Sequence, residues 1–415
     1  MAMGLKKTQN SKLKTQKLLF LALAPTGVGI SGSDRIFIEL AREWSKKLPV
    51  EIFTTKEGVR MVQRQKLFGK HLKVTKAEKL SLPTNILLKY VYKIYLGIKL
   101  GFSLLITDNL LPKTYLYSSS DFWMDVFPAV ILKLRYPRVK WIATWYQTAP
   151  NPLRGFVEQS AERKEHRENE YKLSALFYWF SQLPIKPLIK KYADFVIVNN
   201  EDERKQFPEM NKKGKTIVLL GAVRLEQIEK YLRKQKTESK KLYDAVFQGR
   251  FHPQKGVVEL VDIWRKVVDK IPDAKLAMIG DGPLMDDVRT RITEHRLKNN
   301  IKLFGYFFDG PEKYKIFSQS KIVVHPAFYD SGGMAAAEAM AFAIPAVGFS
   351  LKAYDSYYPK GMVKVKTGDM DTFVLEVIKL IKNNSLRRKI GNDAFKMVSE
   401  SWSWDKRALT LLNSI

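Results

Sequence analysis

The chain has 415 residues, 45% hydrophobic and 27% charged, a composition that supports globular cores and excludes a wholly disordered protein. It has no cysteine, which excludes disulfides, a cysteine nucleophile and thiolate-bound metal clusters. The net charge is +29, of which residues 1–225 carry +20, and this excess predicts an anionic partner: nucleic acid, anionic lipid or a phosphorylated substrate. No apolar run reaches the ~20 residues of a spanning helix, and the basic N-terminal tail lacks a signal-peptide pattern, so we expect a cytoplasmic protein.

The first half of the chain alternates predicted strands with helical patterns. A strand at 17–25 precedes a glycine-rich turn and an amphipathic helix around 34–47, and a further helical stretch covers 122–135. Because the strand candidates are apolar throughout and precede helices, they predict a parallel sheet covered on both faces. The other strand candidates in this half are 50–55, 114–119, 140–145, 194–199 and 215–220.

A second series of alternating elements begins after residues 226–241, a charged segment that we interpret as a linker with some helix. Together the two series predict an α/β fold of two doubly wound domains, with the ligand site in the cleft between them. The predicted strands of the second series are 244–250, 274–280, 301–306, 321–327, 344–349 and 362–366, and the predicted helices are 256–270, 284–296, 311–319 and 333–342.

Residues 27–32 satisfy the pattern G-x-G-x-x-G between a strand and a helix. A dinucleotide-binding domain would have an acidic residue at the end of the second strand, where this chain has Thr54 and Thr55, and this disfavours an oxidoreductase. No Lys-Ser or Lys-Thr pair follows the glycines, so the motif is not an NTPase P-loop. Two interpretations remain: a tight turn that requires glycine, or a loop that binds a ligand.

The segment FQGRFHPQKG places Arg250 at the end of a predicted strand and Lys255 before a predicted helix. A guanidinium, an ammonium and the free N–H groups of a helix start together suit a diphosphate. Taken alone, two solvated surface cations would be the simpler explanation.

Two glycine turns and an alanine-rich segment follow. Gly282 and Gly305 lie in turns after predicted strands, and Asp330 and Glu338 flank a run of small residues. If a helix begins near Gly333, its first amides can hold an anion, and the carboxylate of Glu338 can accept hydrogen bonds from vicinal hydroxyls. The simpler alternative is a tightly packed alanine-rich helix with a capping aspartate.

The order of these motifs resembles the retaining glycosyltransferases of family 4, the glycosyl transferases group 1, which have the GT-B fold. The shared pattern is Gly-Arg…Lys-Gly, Gly-Asp-Gly-Pro, and an acid separated from Glu by seven residues, followed by Ala-Met-Ala and a Pro-Ala-Val strand. The likeness is strongest over 244–349 and weaker at 27–32, 118–128, 141–150 and 401–408.

The resemblance implies two Rossmann-like doubly wound domains that face a cleft. Residues 1–225 would form the acceptor-binding domain and residues 226–400 the nucleotide-sugar-binding domain. A C-terminal helix at about 401–415 would pack back on the first domain.

The resemblance also implies a hexosyl transfer from a nucleotide-diphosphate sugar, UDP or GDP, with retention and without a metal or cofactor. Arg250 and Lys255 would neutralise the leaving diphosphate, which mainly needs its developing charge stabilised. Glu338 would hold the ribose hydroxyls, and Asp330, where the family usually has Glu, would contact the donor sugar. We expect no metal-binding Asp-x-Asp motif. The other implied donor contacts are Gly29, Gly249, Gly282, Gly305, Gly332, Gly333, Met334 and Ala335.

The sequence departs from the family after the strand at 140–145, where relatives often have a histidine. Here the segment is TWYQTAP, and either Tyr146 or Gln147 falls at that position. His325 is a competing polar group, although its place before a proline at a strand end favours a structural role.

Two stretches of the acceptor domain mix lysine with apolar and aromatic residues, as helices in a headgroup layer do. For 79–102 we favour a core helix with a solvated basic face, and for 171–192 both interpretations stay open. These stretches predict a lipid-linked acceptor and a peripheral location on the inner face of the cell membrane. The alternatives are a soluble sugar or polysaccharide acceptor and a basic nucleic-acid-binding protein. The second is disfavoured because no recognised nucleic-acid module is present.

Overall fold

The computed structural model describes residues 16–26, 30–79, 81–106, 114–149, 176–235 and 239–415. The chain divides into two compact units. Unit 1 is formed by residues up to 149, by 177–219 and by 408–415, and unit 2 contains residues 220–407. Each unit is built on one parallel sheet, which confirms the predicted α/β class with two doubly wound sheets.

Unit 1 has a seven-stranded sheet with the order β3-β2-β1-β4-β5-β6-β7, in which every neighbouring pair is parallel. The order reverses between the first and fourth strands, the arrangement of a doubly wound fold. The strands are β1 (Lys17–Ala22), β2 (Val50–Thr54), β3 (Leu72–Lys76), β4 (Thr114–Ser118), β5 (Lys140–Trp145), β6 (Phe195–Val198) and β7 (Thr216–Val218).

The edge strand β3 is missing from the sequence interpretation. Its residues, LKVTK, are only half-buried or exposed, and the lysines that blunt a sheet edge hide the apolar pattern of a strand.

The described helices of unit 1 flank this sheet. The first of them begins with a capping box: the Ser31 hydroxyl accepts from the Asp34 backbone N–H, and the Asp34 carboxylate accepts from the Ser31 backbone N–H. Residues 176–182 are also helical. The helices are α1 (Gly32–Trp44), α2 (Lys56–Arg64), α3 (Ile86–Ser103), α4 (Trp123–Arg135), α5 (Ile185–Tyr192), α6 (Glu201–Arg204) and α7 (Pro208–Lys212).

Helix α3 packs on α4 through two glycines four residues apart. A Cβ on Gly97 would lie 2.5 Å from the carbonyl oxygen of Met124, and a Cβ on Gly101 would lie 2.9 Å from Cβ of Ile131. The inner face of α3 is therefore buried. Its outer face is exposed, so the core interpretation of 79–102 holds for one face only.

Unit 2 has a six-stranded parallel sheet with the order β10-β9-β8-β11-β12-β13. The reversal point here lies between β8 and β11, whose register pairs Ala245 with Ile322 and Val246 with Val323. The strands are β8 (Tyr243–Gln248), β9 (Leu276–Ile279), β10 (Ile301–Leu303), β11 (Ser320–His325), β12 (Ala346–Phe349) and β13 (Met362–Val365).

The helices of unit 2 begin earlier than predicted, because the proposed linker 226–241 is largely a helix. That helix, α8, buries Ile228 against the core of unit 2, so the linker interpretation is wrong there. The helices are α8 (Leu225–Lys234), α9 (Val257–Lys270), α10 (Met285–Glu294), α11 (Pro311–Ser318), α12 (Met334–Met340), α13 (Ala353–Tyr357), α14 (Met370–Lys382), α15 (Asn384–Ser401) and α16 (Trp404–Ser414).

The end of α16 belongs to unit 1. The indole Nε1 of Trp44 donates a 3.0 Å hydrogen bond to the carbonyl of Ala408. The assignment of the acceptor to unit 1 and of the nucleotide sugar to unit 2 stays a prediction.

Two glycines with the same backbone angle allow the turn after β9 to be tested. Gly282 and Gly310 both have φ of +156°, but a Cβ on Gly282 would lie 2.5 Å from the carbonyl oxygen of Phe251, whereas Gly310 has no atom within 4 Å. Both Gly→Ala variants should lose about 1–3 kcal/mol from backbone strain. Gly282→Ala should lose about 1–3 kcal/mol more, because the turn must also move. Denaturant unfolding checks this, and equal losses would contradict it.

Candidate functional site

The predicted site residues of unit 2 gather at the point where its strand order reverses. In a parallel sheet the carboxyl ends of all strands share one edge, and ligands bind there at the reversal point. Strand β8 ends at Gln248 and is followed by Gly249 and Arg250, while the adjacent β11 ends at His325 and leads into the loop of Asp330. The fold thus places both loops at the same edge of the sheet.

Asp330 is the centre of the first cluster. Its Oδ2 is 2.5 Å from Lys255 Nζ, 3.2 Å from His325 Nε2 and 3.1 Å from the hydroxyl of Tyr354. Its Oδ1 accepts from the backbone N–H of Gly332 at 3.3 Å. The segment of Lys255, the end of β11 and helix α13 therefore together hold one buried carboxylate.

The charges in this cluster follow from burial and from the partners. Burial raises the pKa of Asp330, but Lys255 and His325 outweigh it and hold that pKa well below its usual range. Burial lowers the pKa of His325, and Asp330 only partly offsets this, so the ring is neutral at pH 7. Because an ionised carboxylate only accepts, His325 must carry its proton on Nε2. The cluster is therefore a lysine–aspartate ion pair with a neutral histidine donor.

Glu338 is the centre of a second cluster. Its Oε2 accepts from Gln248 Nε2 at 2.9 Å and from Lys313 Nζ at 2.7 Å. Lys313 has only 1% of its side chain exposed and also pairs with Asp309, which lies 3.7 Å from a guanidinium nitrogen of Arg224. Positive and negative charges alternate through this cluster, so no charge is buried without a partner.

The sequence interpretation missed Lys313. One signal was available: Lys313, Ile316 and Phe317 recur at helical spacing, and all three are buried. A lysine on a buried apolar stripe needs an acidic partner, and here it has two.

The predicted donor-site glycines allow close backbone packing. The backbone N–H of Gly249 donates to Ile279, that of Gly280 donates to Gly305, and a Cβ on Gly280 would lie 1.8 Å from the Gly249 carbonyl oxygen. The ends of β8, β9 and β10 therefore lie side by side with little space between them.

Gly332 and Gly333 fit against two tyrosines. A Cβ on Gly332 would lie 2.3 Å from the Tyr357 ring. Gly333, with φ of +59°, is the N-cap of α12, and a Cβ on it would lie 3.1 Å from the Tyr354 ring. Their next neighbours, Met334 and Ala335, are half-buried.

Arg250 differs from the other predicted residues because it is exposed. Its guanidinium forms no hydrogen bond or ion pair with any residue that the structure describes. Gly29 lies outside the described residues.

Unit 1 has its own buried carboxylate at the reversal point between β1 and β4. Asp125 accepts from the backbone N–H groups of Leu23 and Ala24 at 2.6 and 3.2 Å, and from the hydroxyls of Ser119 and Ser120 at 2.9 and 2.5 Å. Burial raises its pKa to about 6, although these donors oppose the shift. Neutral donors thus take the place of the cations found in unit 2.

A second carboxylate, Asp121, lies beside it in the loop after β4. Burial raises its pKa to about 7, against the opposing effect of a hydrogen bond from the Gln182 amide. The same amide donates to the Gln147 carbonyl at 2.8 Å, and its oxygen accepts from Ala149 at 2.7 Å. The sequence interpretation missed Asp121 and Gln182, which are 61 residues apart.

After β5, where relatives often have a histidine, this chain has Tyr146, which pairs with the buried Tyr117. The hydroxyls of Tyr146 and Tyr117 lie 2.7 Å apart, while Gln147 contributes its backbone carbonyl to the Gln182 network. Tyr146 therefore points into unit 1, and neither residue replaces a histidine in kind.

Within the described ranges, no three histidine, aspartate or glutamate side chains are grouped as ligands for a metal ion. An Asp-x-Asp tripeptide does occur at 369–371. Asp369 there caps α14 by accepting from the Thr372 backbone N–H at 2.9 Å.

Residues 227–397 match the model of the family "Glycosyl transferases group 1". The match covers 171 of the 415 residues and contains Arg250, Lys255, Asp330 and Glu338.

Two curated relatives are similar. The poly(glycerol-phosphate) alpha-glucosyltransferase of Bacillus subtilis is 27% identical over 168 residues, 38% of this chain and 24% of that protein. The UDP-Gal:alpha-D-GlcNAc-diphosphoundecaprenol alpha-1,3-galactosyltransferase of Escherichia coli is 23% identical over 259 residues, 60% of this chain and 63% of that protein. The chain thus spans less than two thirds of each relative.

Among solved structures, a variant of S. aureus TarM in complex with Fondaparinux, alpha-GlcNAc-glycerol and UDP has a TM-score of 0.70 at 13% identity. The match covers 96% of this chain and 99% of that one. The likeness confirms the predicted GT-B fold class.

Lys313 can be tested against its neighbour Lys315, which is exposed on the same helix. Lys313→Met keeps the side-chain volume but leaves Asp309 and Glu338 without their shared cation. We expect a loss of about 3–5 kcal/mol in the free energy of unfolding. Lys315→Met should change it by less than about 0.5 kcal/mol. Urea unfolding measures both, and similar values for the two variants would refute the role of the buried cation.

Asp121 should make stability depend on pH. Because its pKa rises from 3.8 unfolded to about 7 folded, the folded state binds more protons in that window, and stability falls as pH increases through it. Asp121→Asn removes this loss while it keeps an acceptor for Gln182. The Tm of the variant relative to wild type should increase between about pH 4 and pH 7. A difference that does not change with pH would be the opposing result.

Proposed function

We propose that the protein is a glycosyltransferase that moves a sugar from a nucleotide-diphosphate donor bound by unit 2. One observation carries the proposal: inside the group 1 domain, the exposed Arg250, the Lys255–Asp330 pair and Glu338 follow the adjacent strands β8 and β11 at the reversal point. Such an edge is where doubly wound folds bind nucleotides.

The donor would be held by charge and by hydroxyl recognition. Arg250 is exposed and presents a planar fork of donors, which suits a diphosphate. Glu338 would accept from the ribose hydroxyls, with Gln248 and Lys313 fixing its orientation. Asp330 would contact the donor sugar, held in place by His325 and Tyr354.

The chemical step breaks the bond between the anomeric carbon and the β-phosphate oxygen. The acceptor hydroxyl oxygen forms the new bond to that carbon, and its proton passes to the departing diphosphate. Negative charge develops on the departing diphosphate, where positioned cations lower the barrier most. Lys255 is 20% exposed and lies beside this edge, so it can share its charge between Asp330 and the diphosphate. We propose that side-chain cations suffice without a metal ion, and that the new bond forms on the same face of the sugar.

The acceptor would be lipid-linked, at the inner face of the cell membrane. The E. coli relative is named for an acceptor carried on diphosphoundecaprenol. Residues 1–225 carry most of the net positive charge, which suits a phosphate-bearing acceptor and an anionic surface. The B. subtilis relative is named for a poly(glycerol-phosphate) acceptor, so a phosphate-rich soluble polymer is the second candidate.

Thermal unfolding with UDP, GDP, ADP and their sugars, with and without EDTA, tests the donor site. A nucleotide at 100 times its dissociation constant should stabilise the protein by about 2.7 kcal/mol. The shift should persist in EDTA and should disappear in Arg250→Ala, which removes a guanidinium that has no hydrogen bond or ion pair with the described residues.

Arg265→Ala, an exposed arginine on α9, is the matched control and should keep the shift. Failure of every nucleotide to shift the protein would overturn the proposal, as would a shift that Arg250→Ala retains. In either case duplex DNA binding at several salt concentrations would test the nucleic-acid alternative.

A further inference from the structure

Unit 1 has an exposed apolar surface on α3 and the helix at 176–182. In the described part of the chain, twenty large apolar side chains are exposed, and twelve of them lie in the two short segments 86–105 and 176–183. Dispersed exposed apolar residues are normal in proteins, but such a concentration marks an interaction surface. We call this surface the apolar face. Its members are Ile86, Leu87, Leu88, Val91, Tyr95, Phe102, Leu105, Leu176, Phe177, Trp179, Phe180 and Leu183.

The apolar face of α3 is distinct from the side that packs in the core. Leu88, Val91, Tyr95 and Phe102 recur at helical spacing and are 53–63% exposed. The opposite side carries the glycines that contact α4. Core packing therefore does not account for the outer side chains.

The two segments form one continuous surface. The rings of Tyr90 and Phe177 lie 5.3 Å apart, which places the helix at 176–182 against α3. The rings of Trp123 and Phe180 lie 5.9 Å apart, which places the same helix against α4. A flat body can therefore contact both segments at once.

The charge of the apolar face favours an anionic partner. Residues 86–103 and 176–193 contain six lysines and no aspartate or glutamate. Lys89 and Lys93 pair with Glu57 of α2, whereas Lys99 on α3 and the pair Lys190 and Lys191 on α5, the helix that follows 176–182, are exposed. Bulky apolar and aromatic side chains among lysines are the composition of helices that lie in a lipid headgroup layer.

The apolar face also borders the polar residues at the carboxyl edge of unit 1. The helix at 176–182 ends with Gln182, whose amide contacts Asp121 and Gln147. On α3, Lys93 Nζ donates to the Pro25 carbonyl, just beyond β1, at 2.7 Å. A lipid-linked acceptor in a bilayer against this face would thus present its head group next to that edge.

We infer that the apolar face is a docking surface for an anionic lipid bilayer. Its outer apolar side chains enter the headgroup layer, and the exposed lysines contact the anionic lipids. The inference rests on the proposed function only for the identity of the acceptor that the bilayer carries. None of the described helices combines the length and hydropathy needed to cross a bilayer.

Flotation of the full chain with vesicles tests the inference. The vesicles are phosphatidylcholine alone or with about 30% phosphatidylglycerol, at about 0.15 M salt. Wild type should float with the anionic vesicles and much less with the neutral ones. Val91→Glu and Phe177→Glu should each lower the partition coefficient about tenfold or more, because each removes the burial of one apolar side chain.

Leu375→Glu is the matched control, since Leu375 is 65% exposed on α14 of unit 2, and it should float as wild type does. Val91→Glu and Leu375→Glu should keep the wild-type Tm, because the substituted side chains are 62% and 65% exposed. Phe177→Glu also removes the ring contact with Tyr90, so its Tm is measured before its flotation is interpreted. Absence of flotation, or equal loss in Leu375→Glu, would overturn the inference. So would a wild-type dimer in light scattering without lipid that Val91→Glu dissociates, because a second copy of the chain would then cover the face.

Nucleotide-induced stabilisation is measured on the same variants without vesicles. Val91→Glu should keep this stabilisation, since it lies in unit 1 on the outer face of α3. A wild type that binds nucleotide but does not float shows failure of the docking inference alone, and a wild type that floats but binds no nucleotide shows failure of the proposed function alone.

Discussion

The point at which strand order reverses is the constraint on which both units depend. Connections leave the first strand towards one side of the sheet and the fourth strand towards the other, so the loops after these two strands separate and leave backbone groups uncovered. In unit 2 those strands are β8 and β11, and in unit 1 they are β1 and β4. The buried carboxylate of Asp330 lies in the loop after β11, and that of Asp125 lies in the first turn of α4, which follows β4, so their positions follow from topology.

Equal burial has opposite consequences in the two units, because the partners differ. Asp330 faces Lys255 and has a pKa well below its usual range, whereas Asp125 has only neutral donors and a pKa raised to about 6. Coulombic attraction outweighs the cost of burial in the first case, and hydrogen bonds do not outweigh it in the second. Unit 2 therefore keeps fixed charges at its edge, which suits an anionic ligand, and unit 1 has carboxyls that titrate near neutral pH.

The elements that the sequence predicts well are those whose environment is uniform along the chain. Strands such as β1 and β9 are buried on both faces and appear as continuous apolar runs. The edge strand β3 was missed, and α8 was predicted only as some helix within a linker, because each is only partly buried and carries many charges. The pattern of apolar residues along the sequence indicates burial, so it does not identify an element that is half exposed to solvent.

The same limit applies to the site. Arg250, Lys255, Asp330 and Glu338 follow strand ends and could be predicted from motif order. Their partners could not be predicted. Tyr354 contacts the Asp330 carboxylate and Lys313 contacts the Glu338 carboxylate, each from an element that only the tertiary fold brings close. In unit 1 the separation is larger still, since Asp121 and Gln182 meet across 61 residues.

Helix α3 shows that apolar content alone does not distinguish a core from an exposed surface. Its two sides are both apolar, and hydropathy favours a buried helix with a basic face. What distinguishes them is side-chain size: Gly97 and Gly101 let the backbone approach α4, while the bulky side chains Val91 and Phe102 face outward. A helix held so closely on one side has its orientation fixed. Its outer apolar side chains therefore stay exposed to water until a partner covers them. Packing within the unit does not offset the free-energy cost of this exposure.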